Sequence, residues 1–284
     1  MALTSTNEML KKAQIDAYAV GAFNTENMEI MQAVFEAAQE TQSPFILQTT
    51  PSMLKYATPE TFYGLARGLS LTYDVPVALH LDHGDSFATA ERCLRAGYTS
   101  VMIDGSKLSF EENIALTKSV VELCTPSGIP VEAELGKVGG KEDETQVDDP
   151  GYTDPAEAVE FCNRTGISSL AVAIGTAHGF YKGKPQLDLA RLAIIREKVS
   201  IPLVLHGASG LTDEDIQNSV QRGICKVNFA TELRNAYTIA VKETLKNDPG
   251  LYDPKVFGKA GRAAVKQLVM QRMIVCGSSG KARA

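Results

Sequence analysis

The sequence has no tryptophan, only four histidines and no excess of basic residues among its 284 positions. Its 28 lysines and arginines stand against 34 aspartates and glutamates, a formal net charge of -6. This balance argues against a general nucleic-acid binder or a protein of anionic membrane surfaces, because both carry positive fields. No apolar run approaches the ~20 residues of a membrane span. We also expect no signal peptide, since residues 1–7 lack a charged segment followed by an apolar one.

The five cysteines are odd in number, widely spaced and without a C-x-x-C pair, at Cys93, Cys124, Cys162, Cys225 and Cys276. That pattern is typical of buried, reduced thiols. We therefore expect a cytoplasmic protein whose small core thiols are not paired.

Apolar runs of strand length alternate with amphipathic stretches of helical length along the whole chain. Eight runs predict strands, at residues 18–23, 45–48, 77–81, 100–103, 131–135, 169–174, 203–205 and 225–227. They are rich in Val, Ile, Leu and Ala, as expected for parallel strands buried on both faces. With helices between them, they predict a TIM (β/α)8 barrel, an α/β fold in one domain over residues 1–284. An open doubly wound sheet is the competing fold, but no G-x-G-x-x-G follows the first strand.

Three helices are expected near the two ends of the chain. A short helix at 7–15 would close the bottom of the barrel, and the eighth helix is expected at 231–246. An extra C-terminal helix is expected at about 256–275.

Three of the four histidines stand where predicted strands three, six and seven end. His83, His178 and His206 are each followed directly by glycine, which lets the backbone turn sharply. The active sites of TIM barrels lie at the carboxyl ends of the strands, so we expect the three imidazoles to converge. Three neutral imidazoles leave an open position on a catalytic zinc ion. His80 lies inside its strand, where we expect a structural or supporting residue.

Carboxylates accompany these histidines. Asp82 precedes His83, and the two side chains share a site only where the strand end bends, because neighbouring strand residues point to opposite faces. Asp82 is a candidate acid/base group, or alternatively a carboxylate that orients a histidine. Asp104 and Glu134 end the fourth and fifth strands and form either a second metal position or part of the framework. Glu132 shares the parity of Glu134 and is a candidate member of an ion network inside the barrel.

Small-residue turns follow predicted strands seven and eight. TIM barrels commonly bind phosphate at this place, with backbone N–H groups and a helix N-terminus. Gly179 and Lys182 could join from the sixth loop. The candidate phosphate ligands in the two turns are Gly207, Ala208, Ser209, Asn228, Phe229, Ala230 and Thr231.

The loop at 136–152 is rich in glycine and acids. It predicts either a solvated loop or a mobile lid that carries Glu142 as a second proton-transfer group. A second irregular loop is expected at 180–187.

Taken together, these residues resemble those of the class II, zinc-dependent ketose-bisphosphate aldolases over almost the whole chain. The motifs are HLDHG at 80–84, VEAELG at 131–136, GGKED at 139–143, GTAHG at 175–179, HGASG at 206–210 and KVNFATE at 226–232. Within the family, residues 173–179 and 223–233 look most like the tagatose-1,6-bisphosphate branch, with the fructose-1,6-bisphosphate branch close behind.

The resemblance implies a zinc ion on the three histidines, Asp82 as the acid/base, and Glu142 as the loop carboxylate of proton exchange. It implies that Asp104 and Glu134 form an alternative, non-catalytic metal position. The phosphate of dihydroxyacetone phosphate would lie on Gly179 and the two turns, and Asn24, at the end of the first strand, is a further candidate substrate ligand. The family also implies a monovalent cation (Na⁺ or K⁺) near the phosphate.

The resemblance further implies a homodimer or homotetramer, and some members of the tagatose branch act with a companion subunit. Lys259 stands where some fructose-branch members place an arginine for the distal phosphate. Lysine retains the charge but loses the bidentate fork.

The resulting hypothesis is a zinc aldolase that cleaves D-tagatose 1,6-bisphosphate, with fructose 1,6-bisphosphate as the alternative substrate. A Schiff-base enzyme is a second hypothesis, because Lys226 shares the strand parity of Asn228. A catalytically silent barrel that binds sugar phosphates as a regulatory subunit is the third.

Overall fold

A closed barrel of eight parallel strands forms the centre of the molecule. The computed structural model describes residues 3–142, 145–147, 151–181, 183 and 185–283, without the side chains of 141, 142, 145–147 and 283. Numbered in chain order, the barrel strands are β1 Val20–Asn24, β2 Phe45–Thr49, β3 Val77–Gly84, β4 Ser100–Ile103, β5 Val131–Leu135, β8 Ser169–Val172, β10 Leu203–Leu205 and β11 Ile224–Phe229. Each pairs in parallel with the next, and β11 closes on β1. The predicted TIM barrel is confirmed.

Helices form the outer layer. They are α1 Thr6–Ile15, α2 Met28–Thr41, α3 Pro51–Tyr56, α4 Pro59–Ser70, α5 Phe87–Ala96, α6 Phe110–Cys124, α7 Pro155–Thr165, α8 Leu189–Lys198, α9 Asp213–Gln221, α10 Thr231–Asn247 and α11 Pro254–Val275. Local sequence begins several of them: Ser109 and Thr212 form capping boxes with the residues three positions on, which satisfies otherwise unpaired N–H groups. The short α3 was missed, because six residues show too little periodicity.

The C-terminal helix α11 is present as expected, and it has an unexpected place. It packs against α2, α9 and β1, with Gly258, Gly261, Val265 and Val269 among its buried residues. In α10, by contrast, only Glu232 and Leu233 are buried, and that helix packs on α11. The helix beside β1 is therefore the one with the continuous small and apolar stripe, not the one that directly follows β11.

A second sheet occupies part of the loop expected at 136–152 and part of the segment that follows the predicted sixth strand. Its strands are β6 Gly139–Glu142, β7 Thr145–Val147 and β9 Ala177–His178. β6 runs antiparallel to β7 and parallel to β9, with Gly140 opposite His178. Gly140 has a φ of 86°, and a Cβ there would collide with the backbone of His178. Only glycine allows the two strands to approach this closely.

The barrel interior changes from apolar at its amino end to polar at its carboxyl end. At the bottom, Met9 and Leu10 of α1 pack on Val20, Ile46 and Ala78. Higher up, side chains that are polar or charged are fully buried, which requires that they pair with one another. In the described part of the chain, no helix combines the length and apolarity needed to cross a membrane.

Candidate active site

Three histidines meet at the carboxyl end of the barrel. One ring nitrogen of each of His83, His178 and His206 lies within 4.8 Å of the others. The ring centroid of His83 is 5.0 Å from that of His178 and 4.6 Å from that of His206. His206 directly follows β10, and His83 lies in the last residues of β3. His178 reaches the cluster on a different element from the one expected: β8 stops at Val172, and His178 lies on β9, which β6 holds in place.

A bend in β3 brings Asp82 and His83 to the same site. The register of β3 against β4 shifts between Leu81 and Gly84, and His83 has a φ of 48°. A left-handed backbone at a residue other than glycine costs about 1–3 kcal/mol and is found preferentially at functional sites. Because of this bend, Asp82 Oδ1 lies 4.0 Å from His83 Nε2.

Asp104 orients the first imidazole. His83 Nδ1 lies 2.8 Å from Asp104 Oδ2, and Asp104 Oδ1 accepts from the backbone N–H of Ser106. Burial would raise the pKa of Asp104, but the contacts with His83 and Ser106 outweigh it and lower the pKa. An ionised Asp104 can only accept, so we assign the proton of neutral His83 to Nδ1. Its Nε2 is then a lone-pair donor to a metal.

Two glutamates surround the second imidazole. His206 Nε2 lies 3.0 Å from Glu132 Oε1, and His206 Nδ1 lies 3.1 Å from Glu134 Oε2. Burial would raise the pKa of Glu132, yet Lys226 and His206 lower it, so Glu132 accepts and His206 Nε2 carries the hydrogen. When His206 is neutral, its Nδ1 and Glu134 Oε2 face each other as two acceptors, and neither has a hydrogen-bond partner among the described residues. A cation beside both atoms satisfies them, which fits a metal site.

The electrostatics of the cluster agree with this fit. Burial lowers the pKa of His178, and the charges of His83 and His206 lower it further, so His178 is a neutral imidazole. Burial also opposes protonation of His83 and His206, but the surrounding carboxylates raise both pKa values. The pocket therefore attracts positive charge, which a divalent ion supplies.

The donor set suits zinc. Three imidazole nitrogens leave a fourth position open on a tetrahedral zinc ion. Ligand atoms of His83, Asp104 and Glu134 also lie within 4.8 Å of one another, where the sequence suggested an alternative metal position.

Three amides hold the carboxylate of Asp82. Asn24 Nδ2 and Gln48 Nε2 each donate to Oδ2 at 3.2 Å, and Asn228 Nδ2 donates to Oδ1 at 3.0 Å. Burial would raise the pKa of Asp82, but His83, His206 and Lys226 lower it, so the group is ionised. Gln48 was missed in the sequence analysis. The available signal was a polar residue at the carboxyl end of a buried strand.

The loops after β10 and β11 lie side by side. Ser209 Oγ accepts from the backbone N–H of Ala230, the residue before α10. Tyr181 also joins two loops: its hydroxyl accepts from Ala177 N–H at 2.9 Å and donates to Gly207 O at 2.7 Å. Sequence reasoning did not identify Tyr181. The arrangement leaves backbone N–H groups and the N-terminus of a 17-residue helix at one place.

The other candidate phosphate ligands differ in backbone conformation and burial. Gly207 and Gly179 have φ values of 68° and 88°, and Ala208 is buried. Phe229 directs its ring away into the core, stacked on Phe23 at 5.6 Å, so only its backbone is available to a ligand. Thr231 is the first residue of α10.

Two of the remaining candidates fall outside what the structure describes, and a third lies in the outer layer. Lys182 lies outside the described residues, and of Glu142 only the backbone, in β6, is described. Lys259 is exposed on α11, in the groove between α11 and α2 that Glu29 and Arg262 also line. That groove belongs to the outer helical layer.

Comparisons with known proteins agree over the full length. The family model for class-II fructose-bisphosphate aldolase matches residues 4–281. The chain is 48% identical over 283 residues to the D-tagatose-1,6-bisphosphate aldolase subunit GatY of Klebsiella oxytoca, covering 99% of this chain and 100% of that relative. The crystal structure of the YdjI aldolase from Escherichia coli K12 matches with a TM-score of 0.88 at 38% identity, covering 99% of both chains. The crystal structure of fructose-bisphosphate aldolase from Campylobacter jejuni matches with a TM-score of 0.83, covering 99% of this chain and 97% of that one. At 24% identity it supports the fold alone.

Proposed function

Because the chain belongs to the class II fructose-bisphosphate aldolase family, we propose that it is a zinc-dependent aldolase of D-tagatose 1,6-bisphosphate. The reaction is reversible cleavage to dihydroxyacetone phosphate and D-glyceraldehyde 3-phosphate. The observation that carries the chemistry is the cluster of His83, His178 and His206 beside the ionised carboxylate of Asp82. The 48% identity to GatY supports the tagatose substrate over its fructose epimer.

Asp82 is the proposed acid/base. In cleavage, its carboxylate takes the proton of the C4 hydroxyl while the C3–C4 bond breaks, and in condensation it returns that proton. Zinc bound by the three histidines would act as a Lewis acid at the C2 carbonyl and stabilise the negative charge that develops there. The amides of Asn24, Gln48 and Asn228 hold the Asp82 carboxylate in one orientation.

Two buried amide oxygens face the same region. Gln48 Oε1 and Asn228 Oδ1 have no hydrogen-bond partner among the described residues. Buried acceptors without donors are costly, so we infer that substrate hydroxyls donate to them. The phosphate of dihydroxyacetone phosphate would lie where Ser209 meets the N-terminus of α10. Glu142 is the proposed group that exchanges the C1 proton of dihydroxyacetone phosphate.

The contacts of Lys226 speak against a Schiff base. Its Nζ lies 2.9 and 2.8 Å from the two oxygens of Glu132, and the side chain is fully buried. An amine that is held by a carboxylate within the barrel is a poor nucleophile.

The decisive experiment compares kcat/KM for tagatose and fructose 1,6-bisphosphates with the zinc-loaded protein. We expect the tagatose substrate to be preferred, and Asp82→Asn to bind zinc normally while kcat falls about 10²- to 10⁴-fold. Equal or better turnover of the fructose epimer would move the assignment to that branch. Full activity of Asp82→Asn would remove Asp82 from the mechanism.

We also propose that the chain works in an assembly. GatY is named as a subunit, which supports a companion chain, and a homodimer or homotetramer is expected from the family resemblance. A monovalent cation, Na⁺ or K⁺, near the phosphate is part of the same proposal. Light scattering of the purified chain and activity with and without a co-expressed companion test the assembly.

A further inference from the structure

A column of buried polar groups runs down the barrel beneath the metal cluster. Lys226 Nζ contacts both oxygens of Glu132 and lies 3.4 Å from His80 Nε2. His80 Nδ1 lies 2.8 Å from Ser100 Oγ, which in turn accepts from the hydroxyl of Thr6 at 2.9 Å. All five side chains are buried. Lys226 has no role in the mechanism above, although burying an ammonium group is costly.

The donors and acceptors of the column fit only one arrangement. An ammonium group has three N–H donors and no acceptor. Two of these meet Glu132, so the third meets His80 Nε2, which must be a lone pair. His80 therefore carries its hydrogen on Nδ1 and donates it to Ser100.

The same count of donors and acceptors determines that His206 carries a hydrogen on Nε2. Glu132 is an acceptor at both oxygens, so the contact of His206 Nε2 with Glu132 Oε1 requires an N–H on Nε2. In the neutral imidazole that binds a metal, the lone pair of His206 is then on Nδ1, the atom that lies 3.1 Å from Glu134 Oε2 at the metal cluster. If Glu132 turned away or were neutralised, neither the tautomer nor the ring orientation would be defined.

We propose that Lys226 is a positioning residue for the metal: it holds Glu132 as a fixed acceptor, and Glu132 in turn holds His206 with Nδ1 directed at the zinc. The inference rests on the proposed zinc site and deepens it. Lys226 Nζ contacts Glu132 and His80, and of these two it is Glu132 that contacts a histidine of the cluster.

The test measures zinc affinity by competition with a chromophoric chelator, and the visible spectrum of the cobalt-loaded protein. Lys226→Met retains an unbranched chain of similar length without the charge. We expect a loss of zinc affinity of about 10- to 100-fold and an altered cobalt spectrum, as for other groups that orient metal ligands. Glu132→Gln should have a similar effect. The double variant should lose no more than either single variant, because both act through one contact to His206.

Arg272→Met is the matched control. It also removes a buried cation from a carboxylate, since Arg272 Nη2 lies 2.6 Å from Glu232 Oε2, but away from the metal cluster. We expect it to lower the unfolding midpoint and leave zinc affinity unchanged. If Lys226 is only structural, Lys226→Met will behave in the same way, and the inference is then wrong. Additive losses in the double variant would also overturn it.

A second variant and the zinc affinity of the wild-type chain distinguish a failure of this inference from a failure of the proposed function. Should Lys226→Met not fold, Lys226→Gln replaces it, because the amide still offers Glu132 an N–H; a smaller but measurable loss of zinc affinity is expected. A wild-type chain that binds no zinc would refute the proposed function itself. A wild-type chain that binds zinc as tightly as its Lys226 variants would refute only the part assigned to Lys226.

Discussion

Replacing Gln48 with leucine tests how the Asp82 carboxylate is held. Gln48 is fully buried, and its Nε2 group donates to Asp82 Oδ2 at 3.2 Å and to Asn24 Oδ1 at 2.7 Å. Hydrogen bonds to charged groups contribute about 1.5–3 kcal/mol. At 3.2 Å the lower value applies, and about 1.4 kcal/mol corresponds to a factor of ten in rate. Gln48→Leu should therefore lower kcat/KM at least tenfold, and loss of the inferred hydrogen bond between Gln48 Oε1 and a substrate hydroxyl adds to this.

The same substitution should also destabilise the fold. Asn24 Oδ1 loses its donor in a buried position, which costs about 1–3 kcal/mol. Urea unfolding of the zinc-loaded protein measures this loss of stability, and steady-state cleavage of tagatose 1,6-bisphosphate measures the loss of kcat/KM. Zinc affinity should be unchanged, because Gln48 contacts Asp82 and Asn24 and not the three histidines.

Thr117→Val is the control for Gln48→Leu. Thr117 is equally buried, and its hydroxyl donates to Asn113 in the outer layer at 3.1 Å. The Thr117→Val variant should lose about 1 kcal/mol in its free energy of unfolding, and its kcat/KM should be unchanged. If Gln48→Leu retained the wild-type kcat/KM, or if Thr117→Val lost as much activity, the argument that Gln48 orients Asp82 would fail.

Three further predictions concern the metal and the outer layer. Gly140→Ala should lower zinc affinity at least tenfold, because the new Cβ meets the backbone of His178. Gly64→Ala is the control and should leave zinc affinity unchanged, because no atom lies within 4 Å of the new Cβ. Equal zinc affinities of the two variants in chelator competition would contradict this. Arg272→Met should cost about 3 kcal/mol in urea unfolding, because Glu232 is left buried without its partner; a loss below 1 kcal/mol would contradict it. Removal of zinc with a chelator should abolish cleavage and lower stability by about 4 kcal/mol relative to zinc at 1,000 times its Kd, and added zinc should restore both. Cleavage that survives chelation would refute the zinc mechanism.

The barrel could be predicted because its signal is local. Each strand is a short apolar run with a helix after it, and the periodicity needs no knowledge of distant contacts. Strand ends were less accurate: β11 spans Ile224–Phe229 instead of 225–227, and β3 continues to Gly84. In β3 the added residues include the bend at His83, which depends on the register with β4 and cannot be read from one strand.

The path of the C-terminal helices was harder to predict. Chain order suggests that the helix after β11 completes the barrel, but α11 packs on β1 and α10 lies outside it. Both helices have helical periodicity in the sequence. The choice between them depends on close packing, such as the approach of the Tyr237 ring to Gly261, where a Cβ would come within 2.5 Å. Such a fit is a property of two surfaces and not of either segment alone.

The metal cluster is built on two separate parts of the fold, which explains why one of its ligands was assigned to the wrong strand. His83 and His206 belong to barrel strands, whose positions follow from the closed sheet. His178 belongs to a two-residue strand whose neighbour is β6, a segment nearly forty residues earlier in the chain. The geometry of the third ligand therefore depends on the β6–β9 pairing more than on the barrel. A change that weakens this pairing, such as Gly140→Ala, should affect metal binding while the barrel unfolds as before, so affinity and stability should separate in that variant.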